Sequence, residues 1–254
     1  MIDPRYEMAR RKLSSIDRVL LVCSGKGGVG KSVIAASLAL ALKDRGRKVG
    51  LIDLDLHGPS APAVLGVEKA ELRGSKKGLK PVEVEGISLV SVALYTGPGA
   101  LPIKGRVKED LVLTLFAEAD WGQLDYLVVD MPPGTGDETV TTLRVTRDRA
   151  RALIVTTPSR LSLAVVRRLV DLLRGEGVPI LGVVENLAYF VYKGEKVEVF
   201  GPPKAEELGL RLLGRLPIDP ELEEALERGR GPRAAKAFWR CIQEVAEEVE
   251  RTWR

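Results

Sequence analysis

The chain has 254 residues, of which 45% are apolar and 29% charged, a composition that suits one α/β domain over residues 1–254. Its apolar runs fall far short of the ~20 residues that cross a bilayer, and its start is polar. We therefore expect a cytoplasmic protein with no membrane partner. The net charge of +4 comes from interspersed basic and acidic residues, which argues against a nucleic-acid partner. One Asn and two Gln beside abundant Glu, Arg and Lys indicate a heat-adapted source.

A glycine-rich loop follows the first predicted strand. The sequence predicts a polar lead-in over residues 1–17, with room for a short helix. It then predicts a buried strand over residues 19–24 and a helix over residues 33–42. The loop between them, GKGGVGKS, fits the pattern G-x-x-x-x-G-K-S. Its glycines let backbone N–H groups approach phosphate oxygens, while Lys31 reaches the β- and γ-phosphates and Ser32 ligates Mg²⁺. An ordinary glycine-rich turn is the alternative. The predicted nucleotide contacts in this loop are Gly25, Lys26, Gly27, Gly28, Val29, Gly30, Lys31, Ser32 and Val33.

A pair of carboxylates follows the second predicted strand, residues 48–53. Asp53 and Asp55 lie two residues apart, so an extended segment places them on one face at the carboxyl end of the strand, where such sheets bind ligands. One of them can join a Mg²⁺ shell while the other orients an attacking water. A turn rich in Asp, Gly and Pro is the alternative. His57, the one histidine, is either a reporter of nucleotide state or a polar loop residue.

The middle of the chain contains a second strand that ends in a carboxylate. A short helix and a charged loop are predicted over residues 61–78, a hairpin over 81–92, a loop over 96–102 and a helix over 108–119. Residues 125–130 then read as four hydrophobic residues ending in Asp130, which is typical of a Walker B strand that supports Mg²⁺. Gly134 and Gly136 let the loop that follows approach the γ-phosphate.

The last third predicts a strand over 151–157, a helix over 161–173 and a strand over 178–185 that ends at Asn186. The Asn186 amide offers the donor and acceptor that adenine recognition needs, or it is a strand-end cap. The sequence then predicts a hairpin over 189–200, a short helix around Glu206, a strand over 211–216 and a helix over 221–228. Pro217 is expected near the adenine base. The final helix, within residues 232–254, is amphipathic and is expected to dock on the core.

Four motifs in order resemble the Mrp/ApbC family of MinD-like P-loop ATPases, which are associated with carrying iron–sulfur clusters. They are GKGGVGKS, DLDLHGPS at residues 53–60, DMPPGTGD at residues 130–137 and VVEN at residues 183–186. The resemblance implies a doubly wound, mostly parallel sheet, ATP hydrolysis, and a homodimer that sandwiches ATP. It implies that Lys26 reaches the partner's nucleotide and that Asp55 helps to position water. We assign Ser32, Asp53 and Asp130 to the magnesium site, the Asp residues through water.

The chain departs from this family at the cluster site. Cluster-carrying members have a C-x-x-C after the Asn, one pair from each subunit, whereas here that segment contains no cysteine. Cys23 and Cys241 are distant in sequence and expected in the core, so no iron–sulfur ligand is assigned.

Two functions follow from the resemblance and the departure. The chain is either an ATPase in iron–sulfur cluster handling, with a cysteine-bearing paralogue or a client protein as partner, or a MinD/ParA-like switch that positions a protein or surface. A metabolic kinase is a weaker alternative, because the sequence shows no acceptor site.

Overall fold

A computed structural model describes residues 3–56, 58–97 and 106–253, with the side chain of residue 106 excepted. His57 and residues 98–105, which include most of the loop predicted over 96–102, lie outside the described residues. The helices are α1 (Pro4–Leu13), α2 (Lys31–Asp44), α3 (Ala61–Val64), α4 (Val92–Thr96), α5 (Arg106–Glu118), α6 (Asp137–Thr146), α7 (Arg160–Gly175), α8 (Pro220–Glu227) and α9 (Lys236–Trp253). Short 3₁₀ helices cover Ala205–Leu208 and Pro232–Ala234.

Nine of the eleven described strands join one mixed sheet. The strands are β1 (Ile16–Cys23), β2 (Val49–Asp53), β3 (Arg73–Ser75), β4 (Gly78–Lys80), β5 (Val82–Val84), β6 (Ile87–Ser91), β7 (Leu124–Asp130), β8 (Ala150–Thr156), β9 (Ile180–Tyr192), β10 (Glu195–Glu198) and β11 (Leu212–Pro217). The order is β10-β9-β8-β1-β7-β2-β6-β5, with β11 also beside β9, while β3 and β4 pair separately. Only the pairs β5–β6 and β9–β10 of the nine-stranded sheet are antiparallel.

The central strands are buried on both faces, which accounts for their continuous apolar sequences. One face is covered by α1, α5, α6 and α7, and the other by α2, α3 and α9. The chain runs from β1 toward β2 and β6 and later returns past β1 to β8 and β9. The strand order therefore reverses around β1, the place where open α/β sheets bind ligands. The predicted doubly wound, mostly parallel sheet is confirmed.

Three predictions about elements need correction. Ile16 and Asp17, assigned to the polar lead-in, already belong to β1. The charged loop predicted within 61–78 contains β3 and the first residue of β4. Asn186 does not end its strand, because β9 continues to Tyr192 as the first strand of the predicted hairpin. The C-terminal helix begins at Lys236 and buries Phe238, Ile242, Val245 and Val249, as its apolar stripe predicts.

Candidate nucleotide-binding site

The loop between β1 and α2 has the backbone shape that its glycines predict. Gly28 and Gly30 adopt φ values of +75° and +81°, a region that disfavours residues with a Cβ. A Cβ on Gly30 would also lie 2.3 Å from the Asn186 side chain. Gly30 precedes α2, and no side chain caps the helix there. The first N–H groups of α2 are therefore not capped by a side chain and can bind an anion.

The loop borders an open cleft of about 400 Å³. The residues lining it are Ser24, Lys26, Gly27, Gly28, Gly30, Lys31, Ser32, Val33, Asp55, Gly58, Ser60 and Pro133. The predicted contacts Gly25 and Val29 are not among these lining residues: Val29 is buried, and a Cβ on the half-buried Gly25 would lie 3.0 Å from the Val165 backbone. Their contact with a nucleotide stays a prediction. Lys26 is exposed, and its ammonium forms no ion pair with the described residues.

Lys31 is held by two carboxylates at the bottom of the cleft. It is 5% exposed, forms a short ion pair with Asp130, and lies 3.6 Å from Asp55 and 3.4 Å from the Ser32 hydroxyl. Burial lowers the pKa of Lys31, but the carboxylates, Asp130 foremost, raise it more, so its pKa lies above the ordinary lysine value. Lys31 therefore stays charged at the bottom of the cleft.

Asp53 and Asp130 are neighbours on β2 and β7, and both are fully buried. Burial and repulsion from Asp130 raise the pKa of Asp53 to about 7. Asp53 accepts hydrogen bonds from the Asp55 and Ala61 amides and from the Ser91 hydroxyl, at 3.1 to 3.2 Å. These contacts make Asp53 the anchor of the loop that carries Asp55. Its assignment to a magnesium shell stays a prediction.

Asp130 has a different environment, because one of its oxygens, Oδ2, is buried without a hydrogen-bond partner among the described residues. Burial raises the pKa of Asp130, although the ion pair with Lys31 pulls the pKa down. A buried carboxylate oxygen without a partner fits a site that holds a magnesium-bound water. Ser32, half-buried at the start of α2, has the hydroxyl that would be the direct ligand.

The loop after β7 is tied to the loop after β1. The Gly134 amide donates to the Ser24 carbonyl at 2.9 Å, and Met131 donates to Val22 at 3.1 Å. Gly134 has φ +87°, which supports the predicted need for glycine at this position. The next residues form α6, a helix missed in the sequence because four of its ten residues are threonine, which favours helices only weakly.

Asn186 lies under the glycine-rich loop. Its Nδ2 donates to the Val29 carbonyl at 2.9 Å, and its side chain is buried and does not line the cleft. The structure therefore shows Asn186 supporting the loop, and adenine recognition stays a prediction. Pro217, the last residue of β11, pairs with Tyr189 and is likewise outside the cleft lining.

Glu185 is a buried charge that the sequence reading missed. It is 0% exposed and accepts hydrogen bonds from the Lys204 and Ala205 amides and from Arg215 Nε at 3.0 Å. Arg215 also bonds Glu198 on β10 at 2.8 Å. This network joins β9, β10 and β11 next to Asn186. The sequence could have revealed this role, because a glutamate inside an apolar strand is expected to be buried and a buried charge requires a partner.

The two cysteines lie apart in the fold. Cys23 is buried at the end of β1, and burial raises the pKa of its thiol to about 12. Cys241, predicted in the core, is only half-buried on α9, 3.7 Å from the Tyr189 hydroxyl. In the described parts of the chain no three His, Cys, Asp or Glu side chains are arranged to hold a metal ion. No described helix is both long and apolar enough to cross a bilayer.

A reversal of strand order at β1, a G-x-x-x-x-G-K-S loop before α2 and a carboxylate at the end of β7 define the class of P-loop NTPases. The chain belongs to the ParA family described as NUBPL iron-transfer P-loop NTPases, whose sequence model matches residues 15–250.

Several proteins from other organisms are similar to the chain. An iron–sulfur cluster carrier protein of Saccharolobus solfataricus is 40% identical, over 90% of this chain and 79% of its own length. The human cytosolic Fe-S cluster assembly factor NUBP2 is 41% identical, over 85% of each chain. Among solved structures, a nucleotide-binding protein of Archaeoglobus fulgidus in complex with ADP matches with a TM-score of 0.81 and 34% identity, over 92% of this chain and 95% of that one. MinD of Pyrococcus furiosus, at 23% identity, 92% and 99% coverage and a TM-score of 0.68, shares the fold.

Proposed function

We propose that this protein is a magnesium-dependent ATPase that acts as a dimeric switch in iron–sulfur cluster handling. The observation that carries the proposal is the position of Lys31, buried at the bottom of the cleft between Asp130 and Asp55. ATP phosphates entering the cleft compete for Lys31 and release the Asp130 carboxylate. Ser32, with Asp130 through water, would then hold Mg²⁺, which neutralises charge on the phosphates.

We propose that Asp55 orients the attacking water. It lines the cleft from the loop that Asp53 anchors, on the side of Lys31 where the phosphates would enter. Asp55→Ala should therefore keep ATP binding and lose most turnover, since water positioning and proton acceptance contribute a factor of roughly 10² or more. Phosphate release measures turnover, and a fluorescent ATP analogue measures binding. Asp171→Ala, an exposed carboxylate of α7, is the control. Normal turnover in Asp55→Ala would remove this role.

The cluster is cargo in this proposal, and the chain does not hold it with its own thiols. Cys23 is inaccessible, Cys241 lies on α9, and the hairpin of β9 and β10 contains no cysteine. A cysteine-bearing paralogue or a client protein would supply the ligands. Anaerobic reconstitution with iron and sulfide, with and without ATP, should leave no stable iron on the chain alone. Retained iron with visible charge-transfer absorbance, lost in Cys241→Ser, would overturn this part.

A second candidate is a positioning switch that carries no cargo. The observation in its favour is the cysteine-free hairpin, where Phe190, Val191 and Tyr192 are 37 to 62% exposed. If the protein handles clusters, we expect a mixed dimer with a cysteine-bearing paralogue to retain iron and to transfer it to a client protein that lacks its cluster. If the paralogue forms no such dimer and iron transfer never depends on this chain, the positioning role is the better account.

A further inference from the structure

A cluster of exposed cations lies on the hairpin of β3 and β4, outside the nucleotide cleft. Residues 72–80 contain four cationic side chains and no carboxylate, so this segment alone has a net charge of +4, equal to that of the whole chain. These side chains, all exposed, are Arg73, Lys76, Lys77 and Lys80. Lys12 of α1 adjoins them, since its ammonium donates to the Lys77 carbonyl at 2.7 Å, and the exposed Arg11 precedes it in the helix. We call these six residues the basic patch.

The basic patch is not neutralised within the molecule. In the portion of the chain that the structure describes, none of its six cations forms an ion pair with a carboxylate. Glu118 and Asp120 meet the hairpin through backbone atoms, at Gly78 and Leu79. Arg5, Arg215 and Arg233, by contrast, each pair with a carboxylate. Unpaired cations in one place attract an anionic partner and increase its rate of association.

The hairpin of β3 and β4 is held rigidly. The Asp120 amide donates to the Leu79 carbonyl at 2.9 Å, and Leu79 forms a bridge with Ala119. Gly78 has φ +124°, and a Cβ there would lie 2.0 Å from the Glu118 carbonyl oxygen, so only glycine permits this approach. The cations are therefore presented on a backbone that is already ordered, which reduces the entropy lost on binding.

A cavity of about 590 Å³ lies directly beside the basic patch. Two residues connect the two features, because Lys12 and Asp120 line the cavity and also bond the hairpin. Its remaining lining includes Met8, which is 52% exposed, Ala117 and Trp121. The cavity wall is mainly apolar, so it favours an apolar side chain rather than a further charge.

We propose that the basic patch and this cavity form a docking site for an acidic peptide segment of a partner protein, with one apolar or aromatic side chain entering the cavity. Carboxylates of the peptide segment pair with the six cations. The apolar side chain in the cavity determines which part of the segment lies on the basic patch. A nucleic acid fits less well, because Trp121 is only 6% exposed and offers no ring on which a base could stack. The site is separate from the nucleotide cleft and does not depend on the proposed ATPase activity.

Fluorescence anisotropy of a labelled peptide tests this proposal. The peptide carries acidic residues on both sides of one phenylalanine, and companion peptides replace either the phenylalanine by alanine or the acidic residues by serine. We expect both replacements to weaken binding to the full-length protein, the second on the order of ten-fold or more at low salt. The affinity of the original peptide should fall as ionic strength rises.

Charge reversal locates the site. Lys76→Glu/Lys77→Glu should weaken peptide binding on the order of ten-fold or more, because two attractions become repulsions. Lys236→Glu/Arg240→Glu, an equal charge change on exposed positions of α9, should leave the affinity unchanged. Far-UV circular dichroism and urea midpoints that match the parent protein show that both variants are folded. Equal weakening by both variants, no effect of the phenylalanine, or tighter binding of single-stranded DNA at the same patch would overturn the proposal.

Discussion

At the residue scale, the buried ion pair of Lys31 and Asp130 should stabilise the fold when no nucleotide is bound. Lys31→Met, measured without nucleotide, should lower the free energy of unfolding by about 3 kcal/mol, because Asp130 would be a buried charge without its partner. The double variant Lys31→Met/Asp130→Asn removes both charges, so we expect its free energy of unfolding to fall clearly less than that of Lys31→Met. Urea denaturation measures both. Lys236→Met, at an exposed position, is the control. Equal losses in the single and double variants would mean that the ion pair does not support the fold.

The two cysteines should differ strongly in reactivity. Because burial raises the pKa of Cys23 to about 12, its thiol stays protonated at pH 8.5 as well as being inaccessible. Cys241 is half-buried and should react first. We expect iodoacetamide to label one thiol per native chain, and mass spectrometry of peptides to place it on Cys241. In denaturant, iodoacetamide should label the second thiol as well. Two thiols labelled at similar rates in the native protein would show that Cys23 is accessible to ligands.

Motif residues could be predicted from sequence because local chemistry defines them. Lys31, Ser32 and Asp130 are fixed by a loop pattern and by a strand ending in a carboxylate, and the structure brings them together. Glu185 could not be given its role in this way, since its partner Arg215 lies on another strand. Asp53 was recognised as a site residue, but its three hydrogen bonds depend on contacts between separate segments.

At the element scale, Gly78 decides whether the hairpin of β3 and β4 stays attached to α5. Gly78→Ala would force a Cβ into an unfavourable backbone region and against the Glu118 carbonyl. We expect the Asp120 amide, which bonds Leu79, to exchange with solvent on the order of ten-fold or more faster. Gly74→Ala is the matched control, because space is open around it and its φ is ordinary. Hydrogen exchange by NMR measures both, and identical rates in the two variants would contradict the expectation.

Long, fully buried strands were predictable because a short, continuous apolar run between turn residues is typical of a strand covered on both faces. The predicted strands at β1, β2, β7 and β8 are confirmed within a few residues. The three-residue strands β3 and β4 are too short and too polar for such a pattern. The course of β9 beyond Asn186 was misread because Leu187, with φ +54°, interrupts the alternation where the strand changes partners from β8 to β10.

At the scale of the whole molecule, the parallel strands bring the candidate site to one edge of the sheet. The glycine-rich loop follows β1, Asp55 follows β2, and Asp130 ends β7, three strands that lie side by side. The sequence predicted this convergence because parallel strands share one carboxyl edge. The fold of one chain does not contain the second copy that Lys26 would contact. The dimer is therefore the part of the proposed function that needs a measurement on the assembly.

Lys26 is the residue through which that assembly should depend on nucleotide. It is exposed at the mouth of the cleft and forms no ion pair with the described residues, so it is available to a second chain. In an Asp55→Ala background, which should retain ATP, we expect magnesium and ATP to convert monomers into dimers, seen as a doubled mass by light scattering. Adding Lys26→Ala should weaken that dimer about ten-fold or more, because a charge-assisted contact to the partner's phosphates is lost. Lys236→Ala, which removes an equal charge from α9, should have no effect. If Lys26→Ala dimerises at the same protein concentration as its parent, Lys26 is a solvated loop lysine and the dimer must be held by other residues.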